Sequence, residues 1–204
     1  FINREFASAQ KYYTQAADTK QPGTDYSVFQ QAFVKGLQKD YNGKISTLSQ
    51  LTENFPKSEY CDDAMYEIGH SYMMLENYEK AREAYTKLYD AYPTSSLARK
   101  GMLQKGMLYY NQNRYEEAIE TYKLVVSHYP NSEEAATAIE SLEKCYVQTN
   151  NLDAYTAYMK KIGRQENVTA EREDSLYYTV AERQYLMGNL LDAAQSFKTY
   201  LNKF

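Results

Sequence analysis

The chain has 204 residues, with 27 acidic and 23 basic side chains, a net charge of −4 and a mean hydropathy of −0.74. No apolar run approaches the ~20 residues that a membrane-spanning helix needs, so no membrane span is expected. The mildly acidic balance, without a Lys/Arg block, disfavours nucleic acid as a partner. With only 8 Gly and 4 Pro, the chain has too few turn-forming residues for an all-β fold, and helices are expected.

The first predicted helix lies near the amino end, where apolar residues have helical spacing: Phe6, Ala9, Tyr13 and Ala16. A second helix is expected from about residue 26 to residue 38, and a third starts near Tyr41 and ends before Pro56. In this third helix, Lys44 occupies a position where a small residue would let the neighbouring helix approach closely.

The prolines mark an internal repeat. Pro56, Pro93 and Pro130 are 37 residues apart, and Pro22 precedes the first of them by 34 residues. Each of the last three follows an aromatic residue, and a serine stands two positions after it. Because proline ends a helix and serine can cap the next one, the pattern predicts repeated pairs of antiparallel helices.

Two repeat units, residues 59–93 and 94–130, are the most regular. Each has a glycine in its first helix and an alanine in its second: Gly69 with Ala81, and Gly106 with Ala118. Small residues at these positions allow the two helices to approach closely. The space beside that contact is expected to be filled by four tyrosine rings: Tyr72, Tyr85, Tyr109 and Tyr122.

The remaining units depart from this pattern. In residues 131–163, Glu143 and Tyr155 replace the small residues, so this degenerate unit is expected to be looser. A polar segment, 164–174, is expected to be a linker and hinge before a last unit at 175–204. The whole chain, 1–204, is interpreted as one array of about five helix pairs that starts in mid-repeat.

These landmarks resemble those of the tetratricopeptide repeat (TPR) family. In the unit 59–93 they are Met65, Ile68, Gly69, Tyr72, Ala81, Tyr85 and Pro93. The resemblance implies an all-α fold, a right-handed α-solenoid, used as a non-enzymatic scaffold for protein binding. The aromatic-Pro-x-Ser pattern also resembles bacterial cell-envelope members of this family, the Tol-associated periplasmic coordinator and the outer-membrane assembly lipoprotein. That second resemblance implies a periplasmic or envelope-associated location.

In such a solenoid, the first helix of each unit lines a concave groove that faces a partner. The family pattern places eight candidate partner-binding residues there: Tyr66, His70, Met73, Leu103, Met107, Tyr110, Tyr178 and Tyr185. Further groove positions are Met74, Asn111, Lys144, Val147, Gln148 and Glu182. Tyrosine rings and flexible thioethers suit an adaptable peptide surface. The alternative, that aromatic and methionine residues at this spacing belong to the core, stays open.

Nothing in the sequence predicts catalysis, a metal site or a cofactor. Phosphate-binding glycine loops, HExxH and GxSxG are all missing, and His70 and His128 fall on helices of different type. Cys61 and Cys145 lie in different repeat units, too far apart for a disulfide. We therefore expect no catalytic residue, no metal ligand and no cofactor.

Two functions of different class remain open. As a recognition module, the chain binds a peptide or protein segment in the groove and stays monomeric. As a structural spacer or self-assembling scaffold, it works through its end helices, near residues 6–16 and near Phe204, and associates as its concentration rises.

Overall fold

The computed structural model describes residues 6–17 and 23–204. Over these residues it has eleven α-helices, one short 3-10 helix and no strand, which confirms the all-α prediction. The helices are α1 (Phe6–Ala17), α2 (Thr24–Leu37), α3 (Tyr41–Asn54), α4 (Cys61–Met74), α5 (Tyr78–Ala91), α6 (Ser96–Asn111), α7 (Tyr115–His128), α8 (Glu133–Gln148), α9 (Leu152–Lys161), α10 (Ala170–Leu186) and α11 (Leu190–Lys203). Pro22 and the side chain of Phe6 lie outside the described part of the chain.

The chain divides into two compact units, Phe1–Leu108 and Tyr109–Phe204, with the boundary inside α6. In the first unit, α2 packs on α3, α3 on α4, and α4 on α5. In the second unit, α7 packs on α8 and α10 packs on α11. In these pairs, helices that follow each other in sequence are neighbours in space, which is how stacked helix pairs bury their apolar faces.

A residue in the left-handed backbone region ends the first helix of four successive pairs. These residues are 37 positions apart and have φ values between 55° and 63°: Lys39, Glu76, Asn113 and Asn150. The N–H of the following residue reaches back into the helix, as Asn77 does to the carbonyl of Tyr72 at 2.9 Å. This Schellman geometry satisfies the last carbonyls of the first helix and turns the chain toward the second.

Short polar side chains then cap the second helices. Asp40 accepts a hydrogen bond from the N–H of Gly43 at 2.9 Å, and Asn77 accepts one from the N–H of Lys80 at 3.2 Å. Each bond satisfies a backbone donor that the first helical turn leaves unpaired, and such a cap stabilises a helix by about 1 kcal/mol.

The serine that follows each repeat proline has two different roles. Ser132 caps α8 and accepts a backbone N–H bond at 3.1 Å, as predicted. Ser58 and Ser95 donate to the carboxylates of Asp25 and Asp62, at 2.6 and 2.7 Å, and these aspartates lie in the first turns of α2 and α4. A charged acceptor makes a strong bond, and here it joins successive helix pairs. Ser95 also accepts the N–H of Leu97 at 3.0 Å and so caps α6 as predicted. Ser58 caps no helix, because α4 begins only after Tyr60, and the prediction is wrong there.

Gly69 is a point of close approach between helices in the first unit. A Cβ atom added at Gly69 would lie 2.5 Å from Cε1 of Tyr85, whose ring is fully buried. A Cβ atom added at Gly101 of α6 would lie 2.9 Å from Cδ1 of the same ring. The tyrosine ring thus fills the space that two glycines leave, which is the packing that the repeat pattern predicts for Gly69 and Tyr85.

Polar pairs occupy the positions where large residues replace small ones. Lys44 is buried and forms an ion pair with Glu67 of α4. In the second unit, the Tyr155 hydroxyl donates to the carboxylate of Glu143 at 3.3 Å, and Arg172 of α10 pairs with the same carboxylate. A polar group from each helix therefore lies at the α8–α9 contact, where the repeat pattern has small residues.

The polar segment 164–174 is only partly a loop. Gln165–Asn167 form the 3-10 helix, and α10 already begins at Ala170. Glu173, in its first turn, pairs with the ammonium of Lys203 at 2.8 Å. The segment that was expected to be a linker therefore continues into a helix whose first turn is held by ion pairs.

Candidate functional site

The candidate site lies on the first helices of the first unit, α2, α4 and α6. Residues 37 positions apart occupy equivalent places on successive first helices. Two such series combine aromatic, methionine, leucine and histidine side chains that are all exposed: Phe33, His70 and Met107, and Leu37 and Met74. We name these five residues the first-helix surface.

The apolar members of the first-helix surface leave a large part of each side chain open to solvent. Phe33, Leu37, Met74 and Met107 are each between 40% and 49% exposed. The core-facing positions of the same helices are taken by other residues, among them Ala64 of α4. Large apolar side chains repeated on one face of successive helices make this surface a candidate for partner binding.

Two of the predicted groove residues on α4 also belong to the core. Tyr66 and Met73 are half-buried and pack against the cluster that contains Tyr85. The rings of Tyr66 and Tyr85 have centroids 5.7 Å apart, and the Tyr85 hydroxyl donates to the Met73 sulfur at 3.2 Å. Burial raises the pKa of the Tyr85 phenol above its usual range, since the charged form would lose its solvation. His70, between the two predicted residues, is exposed.

The predicted residues on α6 differ in exposure. Leu103 is half-buried, whereas Met107 is exposed. Tyr110 belongs to the second unit, where its ring meets the ring of Tyr115 edge-on at 5.4 Å between centroids. Only Met107 of these three is therefore both exposed and part of the first unit.

In α10, the structure gives the two predicted tyrosines different surroundings. Tyr178 contacts α11 edge-on, with centroids 6.0 Å from Phe197 and 5.7 Å from Tyr200. Tyr185, in the last turn of α10, is among the most exposed aromatic side chains of the described residues. Tyr178 therefore contributes to helix packing, and Tyr185 leaves most of its ring open to solvent.

Sequence reasoning alone misses Phe33 and Leu37, because their helical spacing from Phe29 is typical of a packing face. The signal that identifies them is the repeat period. Phe33 stands 37 residues before His70, and Leu37 stands 37 residues before Met74. In α8 the same two series continue as the polar residues Lys144 and Gln148. The apolar character of the series is thus a property of the first unit.

Negative charge borders this surface at the amino end of α4. Partial burial raises the pKa of the Asp63 carboxyl, and the nearby carboxylates of Asp62 and Glu67 raise it further. Glu67 is itself neutralised by its ion pair with Lys44. The five residues of the first-helix surface include no carboxylate and no ammonium group. Four of them offer apolar contact, and the imidazole of His70 adds one hydrogen-bonding group.

A polar cleft of about 640 Å³ lies elsewhere in the first unit, between α1, α2 and α3. Two pairs of its side chains are hydrogen-bonded: Lys35 donates to Thr47 at 2.7 Å, and Gln31 donates to Thr14 at 2.6 Å.

The described residues contain no group of three His, Cys, Asp or Glu side chains that could hold a metal ion. Across residues 6–17 and 23–204, we also find no helix that combines the length and the apolar character required to cross a membrane. Cys61 and Cys145 are free, buried thiols. Burial raises the pKa of the Cys145 thiol to about 12, which keeps it protonated and a poor nucleophile.

Comparison with known proteins identifies the repeat. Models of the tetratricopeptide repeat match residues 26–58, 46–96 and 66–136, which together span more than half of the chain. No curated protein matches the sequence significantly. Among solved structures, a tetratricopeptide repeat protein from Parabacteroides merdae is similar with a TM-score of 0.60 and 15% identity, over 99% of this chain and 75% of that chain.

Two further structures have comparable similarity. The MamA protein has a TM-score of 0.58 and 18% identity, over 81% of this chain and 86% of that chain. BtubC from P. vanneervenii has a TM-score of 0.58 and 13% identity, over 98% of this chain and 90% of that chain. At such identities the similarity shows the fold alone. Together with the 37-residue period and the paired helices, the family models show that this chain belongs to the tetratricopeptide repeat family.

Proposed function

We propose that the chain is a non-enzymatic scaffold that binds a peptide or protein segment on the first-helix surface. Tetratricopeptide repeat proteins generally mediate protein–protein interactions. The observation that carries the proposal is the exposure of Phe33, His70 and Met107 at equivalent positions of three successive first helices. A partner that covers these side chains would remove apolar surface from water, which is the main driving force of association.

The chemistry of the surface favours a peptide with regularly spaced apolar side chains. Phe33, His70 and Met107 lie on three successive first helices, so a peptide that crosses these helices would meet apolar side chains at intervals along its length. Met74 and Met107 can adjust their rotamers to different side chains, so moderate affinity with broad sequence tolerance is expected.

Selection from a random peptide library displayed on phage, with the immobilised chain as target, tests this proposal. We expect enriched peptides with spaced apolar residues. Their affinity, measured by fluorescence anisotropy, should fall at least about tenfold for the double variant Phe33→Ser, Met107→Ser, because about 1.4 kcal/mol of contact energy is then lost.

The matched control is Leu191→Ser, which removes an exposed leucine from α11 in the second unit. It should leave the affinity of the enriched peptides unchanged. Enriched peptides that bind the double variant as tightly as the parent chain would refute the proposed site.

We also propose a location in the bacterial cell envelope. The proposal rests on the aromatic-Pro-x-Ser pattern at Pro56, Pro93 and Pro130. Fractionation of cells that express the native protein at its natural level tests it. Recovery with periplasmic or membrane fractions is expected, and recovery with the cytoplasmic marker alone would contradict the proposal.

A further inference from the structure

Two of the five residues of the first-helix surface are methionines. Met74 ends α4 and is 49% exposed, and Met107 lies on the next first helix, α6, and is 40% exposed. A thioether is apolar, but an oxidant dissolved in water converts it into a polar sulfoxide. Half of the apolar side chains on this surface can therefore change their polarity.

The fold shields four other methionines from solvent. Met102 and Met159 are at most 2% exposed, and Met65 and Met73 are half-buried. The Met73 sulfur also accepts a hydrogen bond from the hydroxyl of the buried Tyr85 at 3.2 Å. Because an oxidant in water must touch the sulfur to react, these four side chains should react more slowly than Met74 and Met107.

The remaining methionine, Met187, is a natural reference. It is 64% exposed but belongs to the second unit, outside the first-helix surface. It should react with an oxidant, and its reaction should leave the first-helix surface unchanged.

The repeat shows that the two surface positions do not need sulfur. Leu37 stands one period before Met74, and Phe33 stands two periods before Met107. Equivalent positions of the first unit thus hold hydrocarbon side chains. Since leucine and methionine have similar volumes, leucine is a matched replacement that cannot be oxidised to a sulfoxide.

We propose that Met74 and Met107 are oxidation sites through which a peroxide controls peptide binding on the first-helix surface. The inference rests on the binding function proposed above. The sulfur lone pair attacks one oxygen of hydrogen peroxide, and the O–O bond breaks as the S–O bond forms. The proton on the transferred oxygen passes to the departing hydroxide, which leaves as water. Each sulfur is oxidised by two electrons, and the peroxide is reduced.

Oxidation weakens binding because the sulfoxide oxygen is a hydrogen-bond acceptor that water solvates. An apolar peptide side chain that covers it removes this water and offers no donor in exchange, which costs free energy. A thiol-dependent reductase can return the sulfoxide to the thioether, so the change is reversible.

The test treats the complete chain with hydrogen peroxide, removes the peroxide with catalase and locates the added oxygen by mass spectrometry of proteolytic fragments. Met74, Met107 and Met187 should be oxidised before Met102 and Met159. The binding probe is a library-enriched peptide that contains no methionine or cysteine. Its affinity, measured by fluorescence anisotropy, should fall at least about tenfold, since two of the four apolar side chains have become polar.

The matched variant is Met74→Leu, Met107→Leu. It should bind the same peptide within about threefold of the parent chain and keep that affinity after peroxide treatment, because leucine replaces methionine with little change in volume. Met187→Leu is the control and should remain as sensitive to peroxide as the parent chain. Circular dichroism before and after treatment verifies that each protein is folded.

Complete oxidation of Met74 and Met107 with unchanged affinity would overturn the inference. Equal loss of affinity in the leucine double variant, or oxidation of Met102 and Met159 at the same rate, would also overturn it. In each case, weaker peptide binding by untreated Phe33→Ser, Met107→Ser would leave the proposed binding site standing. Undiminished binding by that untreated variant would instead refute the binding site itself.

Discussion

The turns between paired helices place ordinary side chains in a backbone region that they seldom adopt. Lys39 and Glu76 have φ values of 63° and 56°. In this left-handed region the Cβ atom crowds the following carbonyl, at a cost of about 1–2 kcal/mol. Asparagine tolerates the conformation better, as at Asn113 and Asn150. The Schellman hydrogen bonds compensate for this strain, so the turn geometry is retained with residues that do not favour it.

Replacement of Glu76 by glycine should stabilise the first unit. Glycine adopts positive φ without a steric cost, but it also loses more backbone entropy on folding, so the net gain is about 0.5–1 kcal/mol. Urea unfolding measures this free energy. Lys87→Gly, at an exposed position within α5, is the control and should destabilise by about 0.5–1 kcal/mol. A loss of stability in Glu76→Gly would show that strain at the turn is negligible.

Gly69→Ala should destabilise the first unit by about 1–3 kcal/mol, because the new methyl group would collide with the buried Tyr85 ring. The same substitution at Gly36 is the control. There the added Cβ would lie 3.0 Å from Cδ of the buried Lys44 side chain, an unbranched chain that can shift by a few tenths of an ångström more easily than a packed ring. We expect a change within about 0.5 kcal/mol for Gly36→Ala. Equal thermal shifts for the two variants would contradict the packing described at Gly69.

At the scale of the helices, a polar pair at the α3–α4 contact stands where the repeat pattern has a small residue. Lys44 is buried, whereas Glu67 keeps about a third of its side chain exposed. Loss of the carboxylate leaves a buried ammonium without its partner, whereas loss of the ammonium leaves a carboxylate that water can still reach. The two halves of the ion pair should therefore differ in the cost of their removal.

Glu67→Gln should destabilise the chain by about 1–3 kcal/mol, and Lys44→Met by less than about 1 kcal/mol. Methionine keeps the volume of the lysine side chain and removes only its charge. Denaturant unfolding of the two variants and of the double variant measures both costs and their coupling. Glu67→Gln should lose more stability than Lys44→Met, and the reverse order would show that the buried ammonium does not depend on its partner carboxylate.

The helix pairs were predictable because prolines and small residues recur with a fixed period, and the structure confirms an all-α chain of consecutive helix pairs. The turns were less predictable, since Lys39 and Glu76 have side chains that do not favour positive φ. The contact between Glu143 and Tyr155 was also not predictable. Both residues break the small-residue pattern in the sequence, but their side chains are hydrogen-bonded to each other. The periodicity shows only that a large residue stands at a given position. It does not show which side chain of another helix that residue contacts.

The candidate site was predictable only in outline. The helical spacing of Tyr66, His70 and Met73 identifies a face of α4, yet it does not tell which of these side chains packs against Tyr85. The structure places Tyr66 and Met73 against that ring and leaves His70 exposed. Whether a side chain lies in the core or on the surface depends on contacts between helices, which a single sequence does not specify.

At the scale of the whole molecule, the buried tyrosines make stability depend on alkaline pH. Burial raises the pKa of Tyr85, Tyr122 and Tyr155 above the ordinary value of 10.0. Below pH 10 the phenols are neutral in both the folded and the unfolded chain, so they add no pH dependence. Above pH 10 the unfolded chain ionises first, and stability must fall as pH rises.

Thermal unfolding followed by circular dichroism should therefore give a constant Tm, as far as tyrosine ionisation is concerned, up to about pH 10 and a falling Tm above it. Tyr122→Phe should reduce this fall of Tm with pH, because it removes one tyrosine whose pKa is raised in the folded chain. Tyr12→Phe, at an exposed position of α1, is the control and should leave the slope unchanged. A Tm that stays constant to pH 12 would contradict the burial of these phenols.

The first-helix surface of the first unit is the surface that we propose to receive a peptide. The most direct test is NMR of methionine methyl groups, because Met74 and Met107 lie on that surface, Met159 is buried, and Met187 is exposed in the second unit. On addition of a peptide enriched from the library, we predict shifts at Met74 and Met107 and none at Met187. Shifts at Met187 alone, or no shift at Met74 and Met107 on saturation, would contradict the account.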